Sequence, residues 1–244
     1  MTLDHKNMKQ ALILAGGKGT RLRSITQGGQ KVIVNVGGKT FIEHILERLM
    51  SEDFHMIYLA VGYRSDDVKD LLNRLSLNHI VKTIDEETPL GTGGALVNAL
   101  ATVRTEKLIV LNGDSYNDIN YSQFLHDHEK FGADVSILTK TVQNISRYGE
   151  IKAQKTNKIY KFVEKTGEDT AGVINAGVYA FKAGIFNENM PKRFSLEVFL
   201  AQNVNKLNMI SVPSKGEFID IGTPEDFEYF KSKHRSLQNL NVVT

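Results

Sequence analysis

The sequence predicts an α/β fold: a mixed, mostly parallel sheet flanked by helices, extended in its second half by antiparallel strands. Three observations carry this. From Gln10 to Leu111, short apolar runs alternate with stretches whose apolar positions recur at helical spacing. Past Phe131 that rhythm gives way to successive β-prone runs separated by turn residues. The first apolar run leads straight into Gly16, Gly17 and Gly19, which puts glycines at the carboxyl end of a strand, where open α/β sheets bind their ligands.

The elements follow in order. Gln10 to Ala15 reads as a buried strand. Phe41, Ile42, Ile45, Leu46, Leu49 and Met50 form the apolar stripe of a helix, and Met56 to Val61 is the next strand. Val68, Leu71, Leu72 and Leu75 mark a second helix, His79 to Ile84 a strand, Ala95 to Leu100 a helix and Leu108 to Leu111 a fourth strand. Val135 to Val142 is a further strand, Gly149 to Val163 two strands about a Thr156-Asn157 turn, and Val173 to Phe181 another. A helix at Leu196 to Val204, short strands at Met209 to Val212 and Phe218 to Ile221, and a helix from Pro224 complete the pattern. No repeat or linker interrupts it, so residues 1–244 are expected to form one domain.

Composition narrows the function. At 244 residues, 41% hydrophobic and 24% charged, the chain has the balance of a globular protein. Thirty basic against 28 acidic residues leave +2, too even for the positive stripe of a nucleic-acid binder. The absence of cysteine excludes disulfides and thiolate metal sites. A polar start without a secretory layout makes the cytoplasm the expected compartment, and no apolar run approaches the roughly 18 residues of a membrane span.

Spacing excludes two common phosphate loops. A Walker loop needs Ser or Thr after Gly-Lys, but Gly17-Lys18 is followed by Gly19; the dinucleotide fingerprint needs a glycine where Leu22 stands. The neighbours still suit phosphate: Thr20 offers a hydroxyl, Arg21 a guanidinium, and the loop its free N–H groups. Asp114 and Asp220 each adjoin a short apolar strand and a glycine, Gly113 or Gly222, which sets their carboxylates at a sheet edge. Magnesium suits such a pair, because it takes one or two protein carboxylates and completes its shell with phosphate and water.

The stretches GGKGTRL with Lys31 after it, PLGTGGAL, NGD, VEK, NAGVY and DIGTPED occur in order over nearly the whole chain. Together they resemble the sugar-1-phosphate nucleotidyltransferases, and most of all the small guanylyltransferases acting on mannose or D-glycero-α-D-manno-heptose 1-phosphate. The resemblance implies a Rossmann-like fold and the reaction of an NTP with a sugar 1-phosphate to give NDP-sugar and pyrophosphate, in the making of heptose- or hexose-containing surface glycans such as capsule or lipopolysaccharide. It also implies a nucleotide-binding half at about 8–130 and a sugar-binding half, built from the antiparallel extension, at about 131–232.

In-line attack on the α-phosphate needs no protein nucleophile, and a phosphate monoester with a second pKa near ~6 needs no base to ionise it at neutral pH. Cations and backbone dipoles must do the work. The resemblance therefore makes Arg21 and Lys31 catalytic, Leu14, Ala15, Gly16, Gly17, Gly19, Thr20, Asn112 and Gly113 the nucleotide cradle, and Asp114 and Asp220 the Mg²⁺ ligands. The sequence departs from the family beside Lys31, where Gln30 and Val32 replace the usual prolines; a looser lysine is expected.

Glu86 stands three residues before Pro89, where the family reads the base. Its two oxygens match the adjacent N1–H and 2-amino donors of guanine, which favours GTP, and strand alternation should turn Asp85 and Glu87 the other way as solvated charges. Gly91 and Gly94 would let backbone approach the base. For the sugar phosphate, the resemblance implies Gly149, Glu164, Lys165, Asn175 and Gly177. Asp118 and Asp226 read as turn and helix-start residues, and no histidine is assigned a role. Two alternatives stay open: transfer of thymidylyl, cytidylyl or uridylyl groups, and a catalytically impaired binder of nucleotide sugars. A homo-oligomer is compatible with the sequence, but without hexapeptide repeats, assembly through a β-helix is not expected.

Overall fold

Runs of buried aliphatic residues become the central strands. The computed structural model describes residues 8–17, 19, 22–103, 105–163, 167, 169–187 and 189–234. The order begins with β1 (Gln10–Leu14), α1 (Arg23–Thr26), a 3-10 turn at Lys31–Ile33, the small pair β2 (Asn35–Val36) and β3 (Lys39–Thr40), and α2 (Phe41–Ser51). Thr40 and Glu43 close a capping box at the start of α2, satisfying amides the first turn leaves open. Next come β4 (Met56–Val61), α3 (Ser65–Arg74), β5 (Val81–Asp85), α4 (Gly91–Leu100), β6 (Leu108–Asn112), β7 (Ser115–Asn117) and α5 (Tyr121–Phe131). The Asn120 side chain caps α5, and Gly132 ends it at φ +54°. The second half holds β8 (Val135–Val142), β9 (Glu150–Ala153), β10 (Ile159–Val163), β11 (Gly172–Phe181), α6 (Leu196–Asn203), β12 (Met209–Pro213), β13 (Phe218–Asp220) and α7 (Pro224–Lys233).

The main sheet has nine strands, in the order β10-β9-β11-β6-β1-β4-β5, with β8 on β11 and β12 on β8. Strands β6, β1, β4 and β5 are parallel, and β11 runs antiparallel to β6 and β8. The later strand β12, for which the sequence offered no orientation, lies parallel to β8 at the edge of the sheet. The period of two shows in β1, where Ala11 and Ile13 join the core on one face and Leu12 the core on the other. Helix α2 seals the first face with Ile42, Ile45 and Leu49; α4 and α6 seal the second with Leu96, Leu196 and Leu200. Each such side chain contributes about 1.5–3 kcal/mol by leaving water.

Helix α4 starts at Gly91, earlier than its apolar stripe suggested, because packing rather than propensity sets its first turn. Its glycines lie under a returning loop: a Cβ on Gly91 would stand 2.6 Å from the Phe194 carbonyl oxygen, and one on Gly94 2.4 Å from that of Lys192.

Two features place the site. The parallel strands β1, β4, β5 and β6 end on the same edge. A separate two-stranded ribbon, β13 on β7, pairs Asp220 with Ser115 and is continued by Ile221 N–H donating to the Asp114 carbonyl at 3.0 Å. Residues more than a hundred positions apart in sequence thereby become neighbours.

Candidate active site

The carboxyl ends of β1, β4, β5 and β6 open into a cleft of about 910 Å³. One end is built around Glu86. Its N–H donates to the Val61 carbonyl at 2.7 Å, fixing it just past β5, and its Oε2 accepts from the Leu90 N–H at 3.0 Å. The carboxylate lies against the backbone of Gly16, where a Cβ would stand 2.4 Å from Oε1. Burial pushes the Glu86 carboxyl above the ordinary glutamate range, against the lowering effect of the Leu90 hydrogen bond. Pro89, Gly91 and Thr92 line the same end. Gly16→Ala is expected to displace Glu86 and to weaken nucleotide binding about tenfold or more, with the fold intact; nucleotide titration by calorimetry checks it.

Glu87 corrects an expectation: it lines the cleft too. Strand β5 ends at Asp85, so alternation does not carry past it. Asp85 does face away, paired with Lys69 at 3.0 Å. Gly94 is absent from the cleft wall; its bare Cα makes room for the Lys192 carbonyl.

The other end is a row of charge. Lys31 Nζ, on the 3-10 turn and mostly buried, lies 3.1 Å from Asp114 Oδ2 and 3.8 Å from Asp220 Oδ1. The other oxygen of Asp220 lies 3.5 Å from Arg147, which also pairs with Asp226 at the start of α7. Negative and positive groups thus alternate from Asp114 to Asp226. Asp226 is at the helix start, as expected, with Thr223 capping its N–H. Leu14, Ala15, Gly17, Gly19, Asn112 and Gly113 line the wall between the two ends. Gly113 is a glycine by necessity, since a Cβ would stand 2.8 Å from the Leu14 carbonyl oxygen. Lys31 and the two aspartates, far apart in sequence, meet as the motifs implied. Thr20, Arg21, Glu164 and Lys165 lie outside the described residues.

The remaining sugar-site candidates sit behind this wall. Asn175 donates to the Tyr179 hydroxyl at 2.7 Å and accepts from the Gly177 N–H at 2.9 Å, at a register shift in β11. Gly177, at φ +75°, backs onto the Asn112 side chain, whose buried Oδ1 has no hydrogen-bond partner among the described residues. Gly149 faces the Val163 carbonyl. None of the three lines the cleft. A smaller hollow of about 320 Å³ is walled by Arg147, Tyr148, Phe218, Asp220 and Tyr229; Asp220 adjoins the larger cleft through its contact with Lys31, which lines it.

Sequence reading missed Tyr63, Arg193 and Glu197 on the cleft wall. Glu197 accepts from Thr92 at 2.8 Å and Ser195 at 2.7 Å, locking the start of α6 onto that of α4. Nothing local in the sequence announces a contact across so many residues.

Two carboxylates meeting across a lysine, beside a glycine-lined wall, make a donor set for a hard divalent cation together with phosphate. Among the described residues no group of three or more His, Cys, Asp or Glu could hold a metal by itself.

The model of the nucleotidyl transferase family matches residues 10–236. A D-glycero-alpha-D-manno-heptose 1-phosphate guanylyltransferase of Campylobacter jejuni is 35% identical over 91% of this chain and 98% of its own length. A mannose-1-phosphate guanylyltransferase catalytic subunit beta of Drosophila melanogaster is 32% identical over 91% of this chain, which spans 61% of that longer protein. Among solved structures, HddC from Yersinia pseudotuberculosis, complexed with GMP-PN, superposes with a TM-score of 0.83 at 32% identity, over 93% of this chain and 99% of that one.

Proposed function

The chain belongs to the nucleotidyl transferase family, and from that premise we propose that it transfers GMP from GTP to a heptose or mannose 1-phosphate, releasing pyrophosphate. The observation that carries this is the two-ended cleft, with the Glu86 carboxylate held against Gly16 and Leu90 at one end and Lys31 between Asp114 and Asp220 at the other.

Ionised Glu86 accepts from the guanine edge while its bond to Leu90 fixes its direction. The glycine wall lets the triphosphate lie against backbone, and Lys31 supplies a cation as charge builds on the departing diphosphate. Asp114 and Asp220 would hold Mg²⁺, which when bound supplies positive charge to the phosphate oxygens. The sugar ring would occupy the smaller hollow beside Asp220, with the aromatic walls of Tyr148 and Phe218. The first half of the chain thus serves the nucleotide and the second the sugar. No described helix is long and apolar enough to cross a membrane; we place the reaction in the cytoplasm.

Pyrophosphate release from each NTP paired with a panel of sugar 1-phosphates tests the proposal. Turnover with dTTP or CTP and none with GTP would overturn the base assignment. Binding without pyrophosphate in any pairing would favour a non-catalytic binder of nucleotide sugars.

A pH dependence follows from Glu86. Protonation removes an acceptor that guanine needs, and because burial raises this pKa, the loss sets in at higher pH than for an exposed glutamate. KM for GTP is expected to rise as pH falls from 7 toward 5, and Glu86→Gln to lack that component; parallel profiles for the two proteins would contradict it.

A further inference from the structure

Gln30, next to Lys31, is only 2% exposed. A buried amide is costly unless bonded. Its Nε2 donates to the Tyr63 carbonyl, while its buried Oε1 has no hydrogen-bond partner among the described residues. An apolar side chain of the same size would avoid that unsatisfied oxygen, so packing does not account for a glutamine here.

The surroundings show what the donor bond holds. Tyr63 follows Gly62 at the end of β4, and both line the cleft. The Tyr63 hydroxyl and Arg64 Nη1 each donate to the Gly28 carbonyl at 3.2 Å. Three side-chain bonds therefore tie the loop carrying Lys31 to the β4–α3 connection. Gly62 in turn packs against Gly16 and Glu86: a Cβ there would stand 3.4 Å from the Gly16 carbonyl oxygen and 3.7 Å from Glu86 Cβ. The backbone at Gln30 sits at φ −66°, ψ 131°, the φ a proline ring would fix. Among the described residues its N–H makes no backbone hydrogen bond.

We propose that Gln30 is a positioning residue: its amide tether to Tyr63 holds Lys31 between Asp114 and Asp220 and links the lysine to the wall around the nucleoside. Against the looser lysine expected from the missing prolines, the Gln30–Tyr63 bond offers a side-chain restraint in place of the covalent one. The role in turnover rests on the reading of Lys31 as a phosphate cation; the placement of Lys31 does not.

The test separates the two. In protein without substrates, an amine-reactive reagent followed by mass spectrometry reads how firmly Lys31 is held. Gln30→Met, which keeps the volume and loses the donor, is expected to raise Lys31 labelling about tenfold and to lower kcat about 10- to 100-fold, with KM for GTP within about threefold. Gln30→Pro, whose ring fits the observed φ, is expected to restore slow labelling and kcat to within about threefold of the parent. Unchanged Lys31 labelling in Gln30→Met, or fast labelling in a Gln30→Pro protein that melts like the parent, would overturn the proposal. If the parent forms no pyrophosphate while labelling responds as stated, the guanylyltransferase reading falls and the positioning role stands.

Discussion

Asp114→Asn and Asp220→Asn are each expected to lower turnover by about 10²- to 10³-fold, measured as pyrophosphate release at saturating GTP and Mg²⁺. Asparagine keeps the shape of the side chain and removes its charge, so the change falls on the electrostatics of the phosphate end. The two substitutions differ in their structural cost. The Asp114 side chain is 44% exposed, whereas that of Asp220 is 15% exposed and lies between Lys31 and Arg147. Neutralising Asp220 leaves two cations facing a polar group inside the protein, so its melting temperature is expected to fall further than that of Asp114→Asn. Asp118, 56% exposed and paired with Arg48 at 3.4 Å, provides the control: Asp118→Asn should leave turnover within about twofold. Near-parental rates in both active-site variants would remove the pair as metal ligands.

Glu86→Gln is expected to reduce kcat/KM for GTP by about 10²-fold while raising the relative use of dTTP or UTP. The amide oxygen can still accept from the Leu90 N–H, so the loop geometry survives. Its NH₂, however, meets the guanine donors with a donor of its own, and a site with a mispaired buried polar group discriminates strongly. Thymine and uracil present an acceptor beside their N–H, which an amide satisfies. Competition between nucleotides in one reaction reads the change directly; an unaltered preference for GTP would place the base elsewhere in the cleft.

The sheet was legible because its strands are runs whose burial leaves no choice. Met56–Val61 and Val135–Val142 carry the predicted bounds, and the turn between β9 and β10 falls at Asn157, at φ +66°. Apart from α5, the pieces that escaped are short or held by distant partners. β2, β3 and β7 span two or three residues, too few for a period to appear. β7 exists because β13 returns to pair with it. The motif residues of the site could be found because each motif is local. Glu87 was misjudged because alternation was carried beyond the end of β5. Tyr63, Arg193 and Glu197 could not be found, since they enter the cleft wall only through the tertiary packing of loops.

The ribbon between Ser115–Asn117 and Phe218–Asp220 sets a condition on synthesis. During translation the first 130 residues can supply the glycine wall, Glu86, Lys31 and Asp114, yet Asp220 joins them only once the much later strand Phe218–Asp220 has been made. A chain ending before that strand therefore leaves Lys31 with Asp114 alone, without the second carboxylate that faces it in the folded protein.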